Sequence, residues 1–228
     1  MIVGGGPESE PALFSSLLQD AVIIAADGGW RLCHRLGVKA AVLVGDMDTL
    51  TPDEVATAQS QGTEVRCFPS DKDQSDLELA ILAAYRMGAR RMTLLGALGG
   101  QWDHCLANLL APLSLCQSLG VWGRLVTGSA EIYLLHPGSY RLCDKAGCRI
   151  SVSSLSQQVK GLTLRNFAYS LQNSSLTRQQ TLGLANTLTA PEATISLDSG
   201  ELLLTIVRTS GGTCHTQHGL DKTGGGEL

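Results

Sequence analysis

The chain has 228 residues, 43% of them hydrophobic and 17% charged, with a formal net charge of −4. Low charge with abundant aliphatic residues excludes a disordered chain. The acidic balance and an aromatic content of 4% exclude the basic, ring-bearing surface on which nucleic acid binds. No apolar run reaches the roughly 18 residues of a membrane span, and the start MIVGGGPESE lacks the basic and apolar regions of a secretory signal. Seven cysteines with no CxxC pair fit reduced thiols better than a disulfide framework, so a cytoplasmic protein with no membrane and no nucleic-acid partner is expected.

Apolar runs at 21–26, 40–44, 64–68 and 91–95 are unbroken, as in strands covered on both faces of a parallel sheet. Helical patterns at 30–36, 52–61 and 77–87 lie between them, each followed by a glycine stop at Gly37, Gly62 or Gly88. A longer helix is expected over 103–119, bent or interrupted near Pro112. Beyond Gly120 only strand-like runs follow, at 131–135, 139–142, 149–152, 162–164, 193–197 and 202–207, separated by turn residues.

The expected fold class is therefore an α/β doubly wound, mainly parallel N-terminal domain (1–125) followed by an all-β, antiparallel, sandwich-like C-terminal domain (126–208). Residues 209–228, rich in Gly and Thr and including Cys214, His215 and His218, read as a flexible tail.

The aspartates fall where strands end. Asp27 closes the first run; Asp46 and Asp48 follow the second; Asp71, Asp73 and Asp76 follow the third; Asp103 follows the fourth. Parallel strands bring all seven to the carboxyl edge of the sheet, where open α/β folds bind ligands. Carboxylates gathered so closely require a compensating cation, and an oxygen-only donor set favours Mg²⁺. Neighbouring glycines (Gly28, Gly29, Gly45, Gly99, Gly100) let backbone N–H groups approach phosphate oxygens.

An acidic edge, glycine-rich loops and a need for Mg²⁺ point together to nucleoside-triphosphate chemistry, although no GxxxxGK[ST] loop is present. Some of these acids have a plainer role as helix caps, and Ser75 with Glu78 forms the S-x-x-E pattern of a capping box. Lys72 is either a solvated charge or a phosphate contact, His104 either a packed ring or a site residue. Trp30 and Trp102 are expected to serve packing.

The ordered series ADGG (Ala26–Gly29), GDMDT (Gly45–Thr49), DKDQSD (Asp71–Asp76) and GALGGQWDH (Gly96–His104) resembles the thiamin pyrophosphokinase family, and the all-β second half matches that family too. The resemblance implies transfer of pyrophosphate from ATP to the thiamin hydroxyl, giving thiamin diphosphate and AMP, by a homodimer. By position it implies Mg²⁺ ligation by Asp46, Asp48 and Asp76, and ATP binding by Asp27, Gly28, Lys72, Ser75, Gln101 and His104. Asp71, Asp73 or Asp103 would accept the alcohol proton, and Asn186 in GLANTL would contact thiamin. Three positions depart from the family pattern: Gln101 stands where Arg is usual, Thr49 where Ser is common, and Ala185 where Ser precedes Asn186. A metal-dependent phosphohydrolase and a non-catalytic thiamin or nucleotide sensor are the alternative readings.

Overall fold

The computed structural model describes residues 1–7, 17, 21–145, 147–207 and 220–223. The chain forms two compact units, Met1–Gly128 and Ser129–Leu228.

The first unit is a parallel sheet with helices between its strands. Its strands are β1 (Ile2–Val3), β2 (Ile24–Ala26), β3 (Val42–Gly45), β4 (Glu64–Cys67), β5 (Arg91–Leu95) and β6 (Trp122–Val126), in the order β6-β5-β1-β2-β3-β4. Every neighbouring pair is parallel, with β1 in the middle pairing Ile2 to Ile24 on one side and to Leu94 on the other. The helices α1 (Gly29–Arg35), α2 (Pro52–Ser60), α3 (Asp76–Arg86) and α4 (Trp102–Ser118) connect these strands. Val3, Ala25, Leu43 and Leu95 on the sheet, with Trp30, Leu32 and Cys33 from α1, make a core almost closed to solvent.

Local chemistry accounts for the helix ends. Ser75 and Glu78 form the expected capping box on α3, and Thr51 with Glu54 forms a second on α2, where Pro52 fits the first turn. Each helix ends two residues before a glycine of positive φ, Gly37, Gly62, Gly88 or Gly120.

Four expectations are corrected. β4 lies at the sheet edge and its residues are exposed or half-buried, so it is not covered on both faces. α4 runs unbroken through Pro112. Trp102 does not pack: it is 84% exposed, whereas Trp30 is buried. Cys148 is disulfide-bonded, while Cys33, Cys67, Cys105, Cys116 and Cys143 are free thiols.

The second unit is antiparallel throughout its paired strands. β7 (Ala130–Leu135), β9 (Arg149–Ser154), β12 (Asn186–Thr187) and β14 (Leu202–Val207) lie in the order β12-β9-β14-β7. A second sheet has the order β11-β10-β13-β8-β15, from β8 (Gly138–Cys143), β10 (Gln158–Arg165), β11 (Leu171–Thr177), β13 (Glu192–Leu197) and β15 (Leu220–Thr223). β9, β13 and β14 alternate buried with less buried residues, so each sheet has one covered face. β15 falls inside the stretch read as a tail and corrects that reading for residues 220–223; Cys214, His215 and His218 lie outside the described residues.

Candidate active site

The site lies at the carboxyl edge of the first sheet. A cavity of about 1240 Å³ opens there, lined by the turns after β1 (Gly4, Gly5, Gly6), β2 (Asp27, Gly28), β3 (Asp48, Thr49) and β5 (Gly96, Ala97). β1 has β2 on one side and β5 on the other, the reversal of strand order at which such folds hold ligands.

Three acids converge at this edge: carboxylate oxygens of Asp27, Asp46 and Asp48 lie within 4.8 Å of one another. Asp27 is 7% exposed and its backbone takes a positive φ of 42°, a conformation that aspartate tolerates better than most residues. Its Oδ2 accepts the Thr49 hydroxyl, but its buried Oδ1 has no hydrogen-bond partner. Glycine is required at position 45, with φ of +151°, because a Cβ there would stand 3.0 Å from Asp27 Cβ and 3.2 Å from Asp76 Cγ. That bare backbone lets the side chains of Asp27 and Asp76 close over the end of β3.

Lys72 answers part of this charge. Its ammonium donates to Asp46 Oδ2 at 3.1 Å and stands 3.3 Å from Asp76 Oδ1. The hydrogen bond from Lys72 holds the Asp46 carboxyl below the usual range. Burial, then the charges of Asp46 and Asp27, push the Asp48 carboxyl up; burial does the same at Asp76 against the pull of Lys72. Of the four carboxylates, Asp46 and Asp76 share the one ammonium of Lys72, and Arg31 is already matched to Glu54. Like charges at such spacing repel by about 1 kcal/mol in water and by more where solvent is thinned. A hard cation fits the all-oxygen donor set, and the unpartnered buried Asp27 oxygen is the point that calls for one.

Of the expected ligand set, Asp46 and Asp48 cluster with Asp27, and Asp76 joins Asp46 at the Lys72 ammonium. Asp27, Gly28, Asp48, Lys72, Ser75, Asp76 and His104 all line the cavity. The Ser75 hydroxyl is occupied by the α3 cap, donating to Glu78 Oε2 at 2.8 Å and accepting from Glu78 N. Asp71, Asp73, Gln101 and Asp103 are exposed and outside the lining. Asp103 Oδ1 accepts from His104 N, and Gln101 holds the N-cap position of α4 without a side-chain bond.

Asn186, in the second unit, is 4% exposed and engaged through both amide atoms: Oδ1 accepts from Tyr169 N and Thr187 N, and Nδ2 donates to Tyr169 O. It holds the chain at Tyr169 against β12. Ala185 before it takes a positive φ of 57° and donates its N–H to Ser151 Oγ.

Sequence reasoning missed one side of the cavity. Arg31, His34 and Arg35 from α1, Glu54 and Thr57 from α2, and Asn108 from α4 also line it. His34 stacks on Trp30 at 4.8 Å between ring centroids. Arg31 and Arg35, one helical turn apart directly after ADGG, were the available signal: two cations beside an acidic loop.

Residues 14–119 match the model of the thiamin pyrophosphokinase catalytic domain, and residues 140–202 match that of the family's vitamin B1 binding domain. The chain belongs to the thiamin pyrophosphokinase family. Thiamine pyrophosphokinase of Bacillus subtilis (strain 168) is 28% identical over 205 residues, spanning 89% of this chain and 95% of that protein. Crystal structures of thiamin pyrophosphokinases from Bacillus subtilis and Geobacillus thermodenitrificans superpose with TM-scores of 0.81 and 0.79, at 27% and 28% identity. Each match covers 92% of this chain and 98% of the other. Membership carries the enzyme class, a pyrophosphokinase, and its two family domains fall one in each compact unit.

Proposed function

We propose that the chain transfers the pyrophosphoryl group of ATP to the hydroxyl of thiamin, with Mg²⁺ as cofactor and AMP as the leaving product. The observation that carries this reading is the convergence of Asp27, Asp46 and Asp48 around a buried, unpartnered carboxylate oxygen beside a glycine-lined cavity. Asp27, Asp46 and Asp48 would hold the cation, with Asp76 close by. The bound cation supplies charge neutralisation on the triphosphate.

The remaining work belongs to the chain. The turns at Gly4–Gly6 and Gly96–Ala97 leave room for phosphate against backbone. Lys72 and Arg35 bring positive charge to the same wall, and placement of the alcohol oxygen in line with the β-phosphorus is the main source of rate. The alcohol oxygen bonds to that phosphorus as the bridge to the α-phosphate breaks, and the alcohol proton passes to a carboxylate. Asp71, Asp73 and Asp103 accept it only where thiamin reaches the exposed rim, since none lines the cavity.

We further read the first unit as doubly wound about β1 and the second as sandwich-like, supported by its two sheets with one covered face each. The protein works in the cytoplasm as a homodimer; Trp102, Leu106 and Leu110, exposed at every fourth position of α4, form an apolar row suited to a second copy. Among the described residues no helix is long and apolar enough to cross a membrane.

The test is AMP formation with ATP and Mg²⁺, with and without thiamin. AMP that appears only with thiamin, as thiamin diphosphate accumulates, is the expected result. Hydrolysis independent of thiamin would replace the reading by a phosphohydrolase, and thiamin binding with no turnover by a sensor.

A further inference from the structure

Asp46 and Asp48 sit on the turn after β3, and nothing in that turn alone explains why they face Asp27. Three carboxylates drawn within 4.8 Å push one another apart. The turn is also backbone-strained, because Met47 takes a positive φ of 64°, an uncommon state for a long side chain. Its internal bonds are long: Asp48 N to Asp46 Oδ1 and Leu50 N to Met47 O are both 3.3 Å.

The turn is restrained from behind by one guanidinium. Arg31 Nη2 donates to the Thr49 carbonyl at 2.7 Å, and Nε and Nη2 donate to Glu54 Oε1 and Oε2 at 2.6 and 2.8 Å. Glu54 Oε2 also accepts Thr51 N at 2.8 Å, within the α2 capping box. Thr49 in turn donates its hydroxyl to Asp27 Oδ2. Arg31 stands only four residues after Asp27, so its fork joins the helix that follows Asp27 to both ends of the segment that follows Asp48. The pair is partly solvent-exposed, with side chains 47% and 28% accessible, and such pairs add little to global stability. Its geometry, planar and two-pronged, is what a positional restraint requires.

We propose that Arg31, braced by Glu54, is a positioning residue that sets the 46–49 turn so that Asp46 and Asp48 meet Asp27 at the cation site. The inference rests on the cation reading of that cluster. It assigns a task to an arginine that otherwise looks like a phosphate contact on the cavity wall.

The test is Mn²⁺ titration of nucleotide-free protein, followed by electron paramagnetic resonance, for wild type, Arg31→Gln, Arg31→Lys, Glu54→Gln and Asp48→Asn. Arg31 holds the backbone beside the ligands rather than a ligand itself, so affinity is expected to weaken by about 10-fold, the lower end for an outer partner, in Arg31→Gln and, in the same direction, in Glu54→Gln. Arg31→Lys falls between, because an ammonium cannot make the fork. At saturating Mg²⁺, kcat of Arg31→Gln recovers while the half-saturating Mg²⁺ concentration stays raised.

Unchanged Mn²⁺ affinity in Arg31→Gln, alongside weakened binding in Asp48→Asn, overturns the proposal alone; a raised KM for ATP would then assign the guanidinium to the nucleotide. Unchanged affinity in Asp48→Asn as well overturns the cation site itself. Glu54→Gln, which keeps the guanidinium, carries the test if Arg31→Gln does not fold.

Discussion

The two units bury charge in opposite ways. In the second, Glu131 and Lys145 are both fully buried, paired at 3.0 Å, and Tyr133 donates its hydroxyl to the other Glu131 oxygen at 2.8 Å. In the first, Asp27, Asp46, Asp48 and Asp76 gather where Lys72 reaches only Asp46 and Asp76, and buried oxygens of Asp27 and Asp76 are left without a hydrogen bond. Acid paired with base in a closed core makes a piece of architecture. Acid in excess makes a place for something that arrives from outside.

That contrast predicts mutations of opposite sign. Lys145→Met removes the buried ammonium from the Glu131 carboxylate and is expected to destabilise the protein by about 3–5 kcal/mol, read by urea denaturation; a loss under about 1 kcal/mol would show that the pair is not a structural neutraliser. Asp46→Asn and Asp76→Asn are expected to lower turnover by about 10²-fold at fixed Mg²⁺, the lower part of the cost of losing metal or transition-state charge stabilisation. Unfolding of both variants should stay near that of wild type, since the weakened contact with Lys72 is offset by relief of repulsion among the acids. Near-normal turnover in both would remove the acids from the chemistry and erase the distinction between the units.

A finer comparison separates capping from catalysis at Ser75. Ser75→Ala should cost about 1 kcal/mol through the α3 cap, with KM for ATP unchanged if the hydroxyl stays with Glu78; a raised KM would return it to the nucleotide. The smallest effect is in the second unit. Burial holds the His136 imidazole below its usual range, opposed by Glu201 at 3.7 Å. The folded state therefore disfavours the imidazolium, so stability is complete above the unfolded His value near about 6.5 and falls as pH drops through the lower folded one. His136→Gln should flatten that acid limb in denaturation measured from pH 8 to pH 5; an unchanged limb would assign the loss to other groups.

Most strands and helices were legible because burial writes itself in apolar runs and glycine stops, as at Arg91–Leu95 and at Asp76–Arg86 before Gly88. β1 was not, since two residues carry no period, although its pairing with both β2 and β5 makes it the middle of the sheet. The acids were legible as a set because each follows a strand. Their grouping was not: Asp27 joins Asp46 and Asp48 through backbone angles at Asp27 and Gly45. β15 was hidden by its composition, for LDKT carries a single apolar residue and earns its place by pairing with β8.

The lodging of Lys72 between Asp46 and Asp76 has a consequence for how the enzyme is loaded. A tethered counterion keeps the rim in shape through scarcity of free cations. A cation held by Asp46 would compete with Lys72 for that carboxylate, and a lysine so displaced would carry its charge into the cavity that it already lines.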